Sequence, residues 1–516
     1  MIDRRGFLKV VGFGAVGLTL PGFVRGSGEK RGRPNIVYIL ADDMGYGDLA
    51  CQNPESKIPT PNLDRLASEG IRFTDAHSPS AVCSPTRYGI LTGRYCWRTR
   101  LKRGVLWPWD KPLIGAKRLT VGKLLQDHGY NTACIGKWHL GMDWPTTDGK
   151  EPVGMGKTNV KDSGSNVDFE SAITNGPTRR GFDYYFGTAV PNFPPYCFIE
   201  NERTVGIPTE RKPSGMFGAP GPMLEGWRLD AILGGLGKKA VEYIDAKGGG
   251  VKNKAFRQTA RRPFFLYMPL TAPHTPIAPS AAFIGKSQAG AYGDFVSQVD
   301  HVVGRVMDAL ARNGFADETL VIFTSDNGSP GRDGTKMSGA TSSVRRFGHN
   351  PSHIYRGIKA DVWDGGHRVP FIARWPVRIE RGAVSDETIC HVDLLATSAA
   401  ILGYELPAEA GEDSYNILPA LLGRKLKAPI REATVHHSSN GMFAIRQGRW
   451  KLILGKGSGG WSGRGKADDP PVQLYDMSSD VRERENLCNE HPEVVERLTN
   501  LLKKYRDEGH SRARGR

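Results

Sequence analysis

Residues 35–43 read NIVYILADD. Residues 36–40 are apolar throughout and rich in β-branched and aromatic side chains, the pattern of a strand covered on both faces. Asp42 and Asp43 follow at its carboxyl end, the edge of an open α/β sheet where sites assemble. Next comes TPNLDRLASEG (60–70), which predicts a helix. Thr60 is the N-cap, Pro61 opens the first turn, Leu63, Leu66 and Ala67 share a face, and Gly70 ends it. IRFTDA reads as a further strand, so the order is strand, helix, strand.

The same alternation continues. RLTVGKLLQDHGY (118–130) predicts a helix ending at Gly129, NTACIGKW (131–138) a strand, and FFLYMPL (264–270) another buried strand. A helix is predicted from about Asp294 to Arg312, with Phe295, Val299, Val302, Val303, Val306, Met307 and Leu310 as its apolar stripe. Asn313 and Gly314 stop it, and TLVIFTSDNG (319–328) is a strand ending on Asp326 and Asn327. After VPFIARWP (369–376) and the helix HVDLLATSAAILGY (391–404) the character changes. MFAIRQGRWKLIL (442–454) reads as a hairpin and VQLYD (472–476) as a strand. Val494, Val495, Leu498, Leu501, Leu502 and Tyr505 define a closing helix, so a small antiparallel sheet packs on a helix there. Residues 142–250 are Gly/Pro-rich and poor in pattern, as binding loops often are.

The 516 residues, 39% of them hydrophobic, suffice for a large α/β catalytic domain with a smaller one. The 64 glycines and 34 prolines point to many ordered loops rather than a helical bundle. The net charge of +16 is scattered and forms no nucleic-acid module. It reads as a solvated basic surface or as one that attracts anionic substrates such as sulfated or acidic polymers, with no nucleic-acid partner. Seven cysteines with no Cys-x-x-Cys pair argue against a thiolate zinc site and a dithiol redox motif. Residues 1–26, with Arg4-Arg5, Phe7-Leu8-Lys9 and a short glycine-broken apolar run, resemble a twin-arginine export signal. Export to the periplasm or beyond through the twin-arginine machinery is expected, with the segment either cleaved or kept as an anchor.

Several polar residues gather at the predicted strand ends. Asp42, Asp43, Asp326 and Asn327 offer hard oxygen ligands suited to Ca²⁺ or Mg²⁺ rather than zinc. Asp and Asn are also common turn and cap residues, and both readings stand on spacing alone. Lys137 and His139, two apart in GKWHLG (136–141), point to one side of an extended segment and suit an oxyanion. His274 sits in APHTP (272–276) after a strand, and Lys359 precedes a glycine turn in YRGIKADVWDGGHRVP (355–370).

CSPTRYGILTGR (83–94) then decides the chemistry. It matches the C-x-P-x-R signature and trailing T-G-R of the formylglycine-dependent sulfatases. NIVYILADDMGYGD, PNLDRLASEG, GKWHLG, APHTP, TSDNG and KADVWDGGHRVP resemble blocks of the same family, in family order, from residue 35 to about 376. The resemblance implies an alkaline-phosphatase-like fold: a large mixed, mostly parallel sheet flanked by helices, with a small C-terminal antiparallel sheet plus helix. It implies a catalytic domain over 33–403 and an α+β subdomain over 404–516.

It also implies that a maturation enzyme converts Cys83 to formylglycine. One hydroxyl of the aldehyde hydrate attacks sulfur, and the other later loses its proton so that sulfate is expelled. By the same match Asp42, Asp43, Asp326, Asn327 and the converted Cys83 hold a divalent cation, Ca²⁺ by family leaning, and Asp326 assists as base. Arg87 and His139 hold the formylglycine oxygens, Lys137 and Lys359 neutralise the sulfate, and His274 protonates the leaving alcohol. One departure concerns GFDYYFGTAVPNFPPYCFIENER (181–203), where Pro191 and Asn192 stand in place of a serine or histidine contact seen in some relatives. PPYCFIENER within it resembles carbohydrate-directed members more than simple aryl-ester ones. The expected activity is hydrolysis of a sulfated carbohydrate or aryl sulfate. The alternatives are a phosphonate or phosphodiester hydrolase of the same superfamily and a non-catalytic binder of sulfated polysaccharide.

Overall fold

The computed structural model describes residues 33–249 and 262–513. The export signal expected over 1–26 lies outside them. In chain order the elements are β1 (Asn35–Asp42), α1 (Pro61–Ser68), β2 (Ile71–Phe73), β3 (Ala76–His77), α2 (Cys83–Thr92), α3 (Val121–Asp127), β4 (Asn131–Lys137) and β5 (Tyr184–Thr188). Short strands β6 (Ile199–Glu200), β7 (Arg203–Thr204), β8 (Glu210–Arg211) and β9 (Pro222–Met223) precede α4 (Ile232–Lys247). Then come β10 (Phe264–Pro273), α5 (Gly290–Arg312), β11 (Thr319–Ser325), α6 (Asp364–His367), β12 (Phe371–Arg374), β13 (Ala383–Ser385), β14 (Ile389–Cys390), α7 (Leu394–Leu402) and α8 (Leu418–Leu421). The chain closes with β15 (Thr434–His437), β16 (Phe443–Gln447), β17 (Trp450–Ile453), β18 (Gln473–Asp476) and α9 (Pro492–Asp507).

The ten-stranded sheet runs β13-β2-β12-β11-β1-β10-β4-β5-β6-β7. From β11 to β5 every pairing is parallel, and antiparallel strands sit at both flanks. The apolar run of β1 explains its central place. Ile36, Tyr38 and Leu40 point into the core that holds α2, α3 and α7 residues, while Val37, Ile39 and Ala41 point into the core of α1, α4 and α5. Both faces being covered, no polar alternation is needed. The stripe predicted on α5 is buried, each large side chain there contributing about 1.5–3 kcal/mol of transfer free energy.

The strand after α1 is not a neighbour of β1, because β11 and β12 stand between β1 and β2. Three local expectations differ from the structure. Thr60 occupies the N-cap without capping: its hydroxyl accepts from the Ala50 amide and faces Asp64 instead. α5 starts at Gly290, ahead of Asp294, since Tyr292 is buried and bonded to Asp48. The pattern-poor region conceals α4, whose Leu233, Leu236, Ala240 and Ile244 are buried. Its glycines mask the helical period, and Gly237 packs closely there: a Cβ would come within 3.1 Å of the Val302 side chain on α5.

The antiparallel sheet β15-β16-β17-β18 packs its inner residues Val435, Ile445, Leu452 and Leu474 on Leu498, Leu502 and Tyr505 of α9. Tyr95 and Trp97, just after α2, join the same cluster. The sheet therefore rests against the segment that carries Cys83.

Candidate active site

Four adjacent strand ends build the site. β1 lies between β10 and β11, with Asp42 opposite Pro273 and Ala41 opposite Ser325. Asp42 and Asp43 therefore meet Asp326 and Asn327 on one side and His274 on the other. One strand further out, β4 ends at Lys137. Asp43 takes a left-handed backbone (φ 69°), tolerable for a short polar residue, and its amide donates to Asp326 Oδ1 at 3.1 Å.

α2 supplies the remaining centre. Cys83 is its first residue, and Arg87 stands one turn on, on the same face. Cys83 Sγ lies 3.6 Å from Asp42 Oδ1 and 3.6 Å from Lys359 Nζ. Arg87 donates through Nε and Nη2 to Asp326 Oδ2 at 3.1 and 2.8 Å, and through Nη1 to the Lys137 carbonyl at 2.9 Å. Lys359 arrives on a loop whose amide donates to the Ser329 carbonyl, and the next amide, Ala360, donates to the Ala81 carbonyl. Its ammonium sits 2.6 and 2.7 Å from the two Asp43 oxygens.

The expected placement of His139 needs correcting. β4 stops at Lys137 and His139 adopts a left-handed backbone (φ 54°), so strand alternation does not pair the two side chains. Lys137 Nζ donates to Asp42 Oδ2 at 2.7 Å, whereas His139 Nε2 meets the Leu106 carbonyl at 2.9 Å. His139 Nδ1 is buried without a partner among the described residues.

Charge crowding sets the titration of the group. Burial raises the Asp42 carboxyl, but Lys137, backed by His274, Arg87 and Lys359, pulls it well below the usual range. Asp326 goes the other way, up to about 7, through burial and the negative charge of Asp42. Burial pushes the Cys83 thiol up to about 12 against the pull of Lys137 and Lys359. His274 is held down at about 4 by burial and then by Lys359. Its Nδ1 lies 2.5 Å from the Thr275 carbonyl, which makes Nδ1 the protonated nitrogen and leaves the Nε2 lone pair 3.8 Å from Asp43.

The donor set fits a hard divalent cation. Asp42, Asp43, Cys83 and His274 present ligand atoms within 4.8 Å of one another. Asn327 donates its amide to Asp43 Oδ1 at 2.7 Å, and its buried Oδ1 has no hydrogen-bond partner among the described residues. A free carbonyl oxygen beside three carboxylates, one of them pushed towards neutrality, suits Ca²⁺ or Mg²⁺.

A second buried group, His77, His367 and His436, was not anticipated. These residues join β3, α6 and β15, and Asp75, Asp364, Arg368, Arg446 and Lys451 surround them. His367 and His436 stack face to face, 4.0 Å apart with 8° between planes, so one ion cannot lie in both ring planes. The group is a polar seam between the two sheets. Sequence reading also missed Tyr292, whose hydroxyl bonds Asp48 and Ser329 behind the Lys359 loop. Asp48 lies within the quoted block at residues 35–48, but nothing local signals a partner so distant in the chain.

The Sulfatase family model matches residues 34–404. An N-acetylgalactosamine-6-O-sulfatase of Bacteroides thetaiotaomicron is 34% identical over 505 residues, which span 92% of this chain and 94% of that one. Human Arylsulfatase A is 32% identical over 499 residues, spanning 91% and 87%. A solved structure described under metabolism of multiple glycosaminoglycans by Bacteroides thetaiotaomicron superposes with a TM-score of 0.77 at 31% identity, covering 92% of this chain and 99% of that chain.

Proposed function

The chain belongs to the sulfatase family of the alkaline phosphatase superfamily and hydrolyses sulfate esters, and from that premise we propose that its substrate is a sulfated sugar attacked from position 83. The observation that carries the assignment is the position of Cys83 between the Asp42 carboxylate and the Lys359 ammonium, at the first turn of α2. A helix start favours negative charge developing there. The similarity to N-acetylgalactosamine 6-sulfatases favours a 6-sulfated amino sugar.

Cys83 acts as formylglycine, supplied by a maturation enzyme that reads residues 83–94. Asp42, Asp43, Asp326 and Asn327 hold the divalent cation, Ca²⁺ with Mg²⁺ as the alternative. When bound, that cation supplies charge compensation and a lowered hydroxyl pKa. Arg87 orients Asp326 through its two donated bonds and carries positive charge to the base of the site. Lys137 and Lys359 neutralise Asp42 and Asp43, and their ammonium groups are the nearest cations for a sulfate placed over Cys83. His139 presents its free Nδ1 as a hydrogen-bonding atom for the converted residue. His274 Nε2 must take up a proton before it can give one to the leaving oxygen, and the negative charge of an arriving sulfate favours that uptake.

We also place the protein outside the cytoplasm, on the twin-arginine segment; no described helix is long and apolar enough to cross a membrane. The test is release of inorganic sulfate from N-acetylgalactosamine 6-sulfate beside release of phosphate from the matching 6-phosphate. Sulfate release should dominate. A faster phosphate reaction would reassign the substrate class.

A further inference from the structure

Trp461 is one of the few large apolar side chains left in the open, at 46% exposure, yet its backbone is held firmly. Its amide donates to Asp361 Oδ1 at 2.8 Å, the Ser462 amide donates to the same oxygen at 3.1 Å, and the Ser462 hydroxyl donates to Asp361 Oδ2. Asp361 also accepts from the Ile358 amide at 2.9 Å, so it fastens the loop of Trp461 to the loop of Lys359. The fit is close: a Cβ on Gly460 would come within 2.3 Å of the Ala360 carbonyl oxygen. An exposed aromatic on a fixed backbone has already lost the loop entropy that ligand contact would otherwise remove.

The ring has cations nearby. Lys359 Nζ lies 5.9 Å from its centroid, and Lys359 is 3.6 Å from Cys83 Sγ. The Arg332 guanidinium lies 5.8 Å from the same centroid. Arg332 donates to Ser338 and to the Gly339 carbonyl, and among the described residues no carboxylate pairs with it. The half-exposed ring thus lies under the edge of two cations, the sulfate-facing lysine and an uncompensated guanidinium. Pyranose rings present an apolar C–H face to such surfaces, and their anionic substituents suit a guanidinium.

Resting on the sulfatase reading above, we propose that Trp461 is a specificity-determining platform for the ring of the sulfated sugar. Arg332 beside it receives a second anionic group of the substrate. The C-terminal part of the chain thereby selects sulfated sugars that carry a further carboxylate or sulfate over small sulfate esters with no second charged group.

The rival role is structural: Trp461 could serve only to steady Lys359. Two measurements separate these. In Trp461→Ala, KM for N-acetylgalactosamine 6-sulfate should rise about tenfold or more while inhibition by inorganic sulfate stays unchanged, and Trp461→Phe should recover most of the loss. Arg332→Ala should weaken a disaccharide carrying an additional carboxylate more than the monosaccharide. An unchanged KM in Trp461→Ala would overturn the platform, and so would an equal rise in KM and in the sulfate inhibition constant. Neither result touches the sulfatase reading, which falls only if the wild-type protein releases no sulfate; in that event, absence of fluorescence quenching by the sulfated sugar would overturn the platform too.

Discussion

Lys359 Nζ lies 3.6 Å from Cys83 Sγ although 276 residues separate them in the chain. The backbone fixes the approach, because the Ala360 amide donates to the carbonyl of Ala81, two residues before Cys83. Even with that ammonium beside it, burial holds the Cys83 thiol near 12, so an unconverted cysteine is protonated at neutral pH and a weak nucleophile. The position suits a residue whose reactivity comes from its own conversion.

Maturation is the first expectation to follow. Active protein should carry an aldehyde at position 83, visible as a mass change of the peptide spanning 83–94. Cys83→Ala should keep its thermal transition and lose turnover. Full activity in protein whose Cys83 is wholly thiol would remove the mechanism.

Cation binding is the second. Added Ca²⁺ should raise the melting temperature of the wild-type protein in proportion to the logarithm of its concentration above the dissociation constant. Asp42→Asn and Asp326→Asn should abolish both the shift and turnover, since each removes a carboxylate from the donor set. Undiminished activity after exhaustive chelation in metal-free buffer would refute the ligand assignment.

The sequence carried the strand ends well and their partners poorly. NIVYILADD and TLVIFTSDNG each declare a buried strand with a polar end, and that suffices to bring Asp42, Asp43, Asp326 and Asn327 to one edge. His139 misled because a turn after β4, not strand alternation, sets its direction. The helix α4 was hidden by its glycines, of which Gly237 packs closely on Val302 of α5, a neighbour distant in sequence. The seam of His77, His367 and His436 comes from three separate elements, so no local spacing could announce it.

Gly136 tests how tightly the strand carrying Lys137 is fixed. Its φ is 147°, and a Cβ there would sit 1.8 Å from the Pro269 carbonyl oxygen on the neighbouring strand. Backbone cannot yield as a flexible side chain can. Gly136→Ala should therefore cost about 3 kcal/mol or more of stability and displace Lys137 from Asp42. Denaturant unfolding measures this, and a loss under about 0.5 kcal/mol would show that the strands are not so closely apposed.

His274 can be tested through its leaving groups. Its Nδ1 is engaged by the Thr275 carbonyl, which leaves Nε2 to face the substrate. A sugar hydroxyl is a poor leaving group and needs a proton, whereas nitrophenolate hardly does; general-acid catalysis is worth roughly 10²–10⁴-fold. His274→Ala should therefore lose far more activity on a sugar sulfate than on nitrophenyl sulfate. The pH dependence has a definite sign. With the imidazole near 4 in the free site, its protonated fraction falls as pH rises above that value, so kcat/KM on the sugar sulfate should decline with pH more steeply than on the nitrophenyl ester. In His274→Ala that difference in slope should vanish. Equal losses on both substrates would make His274 a sulfate-binding group instead of a proton donor.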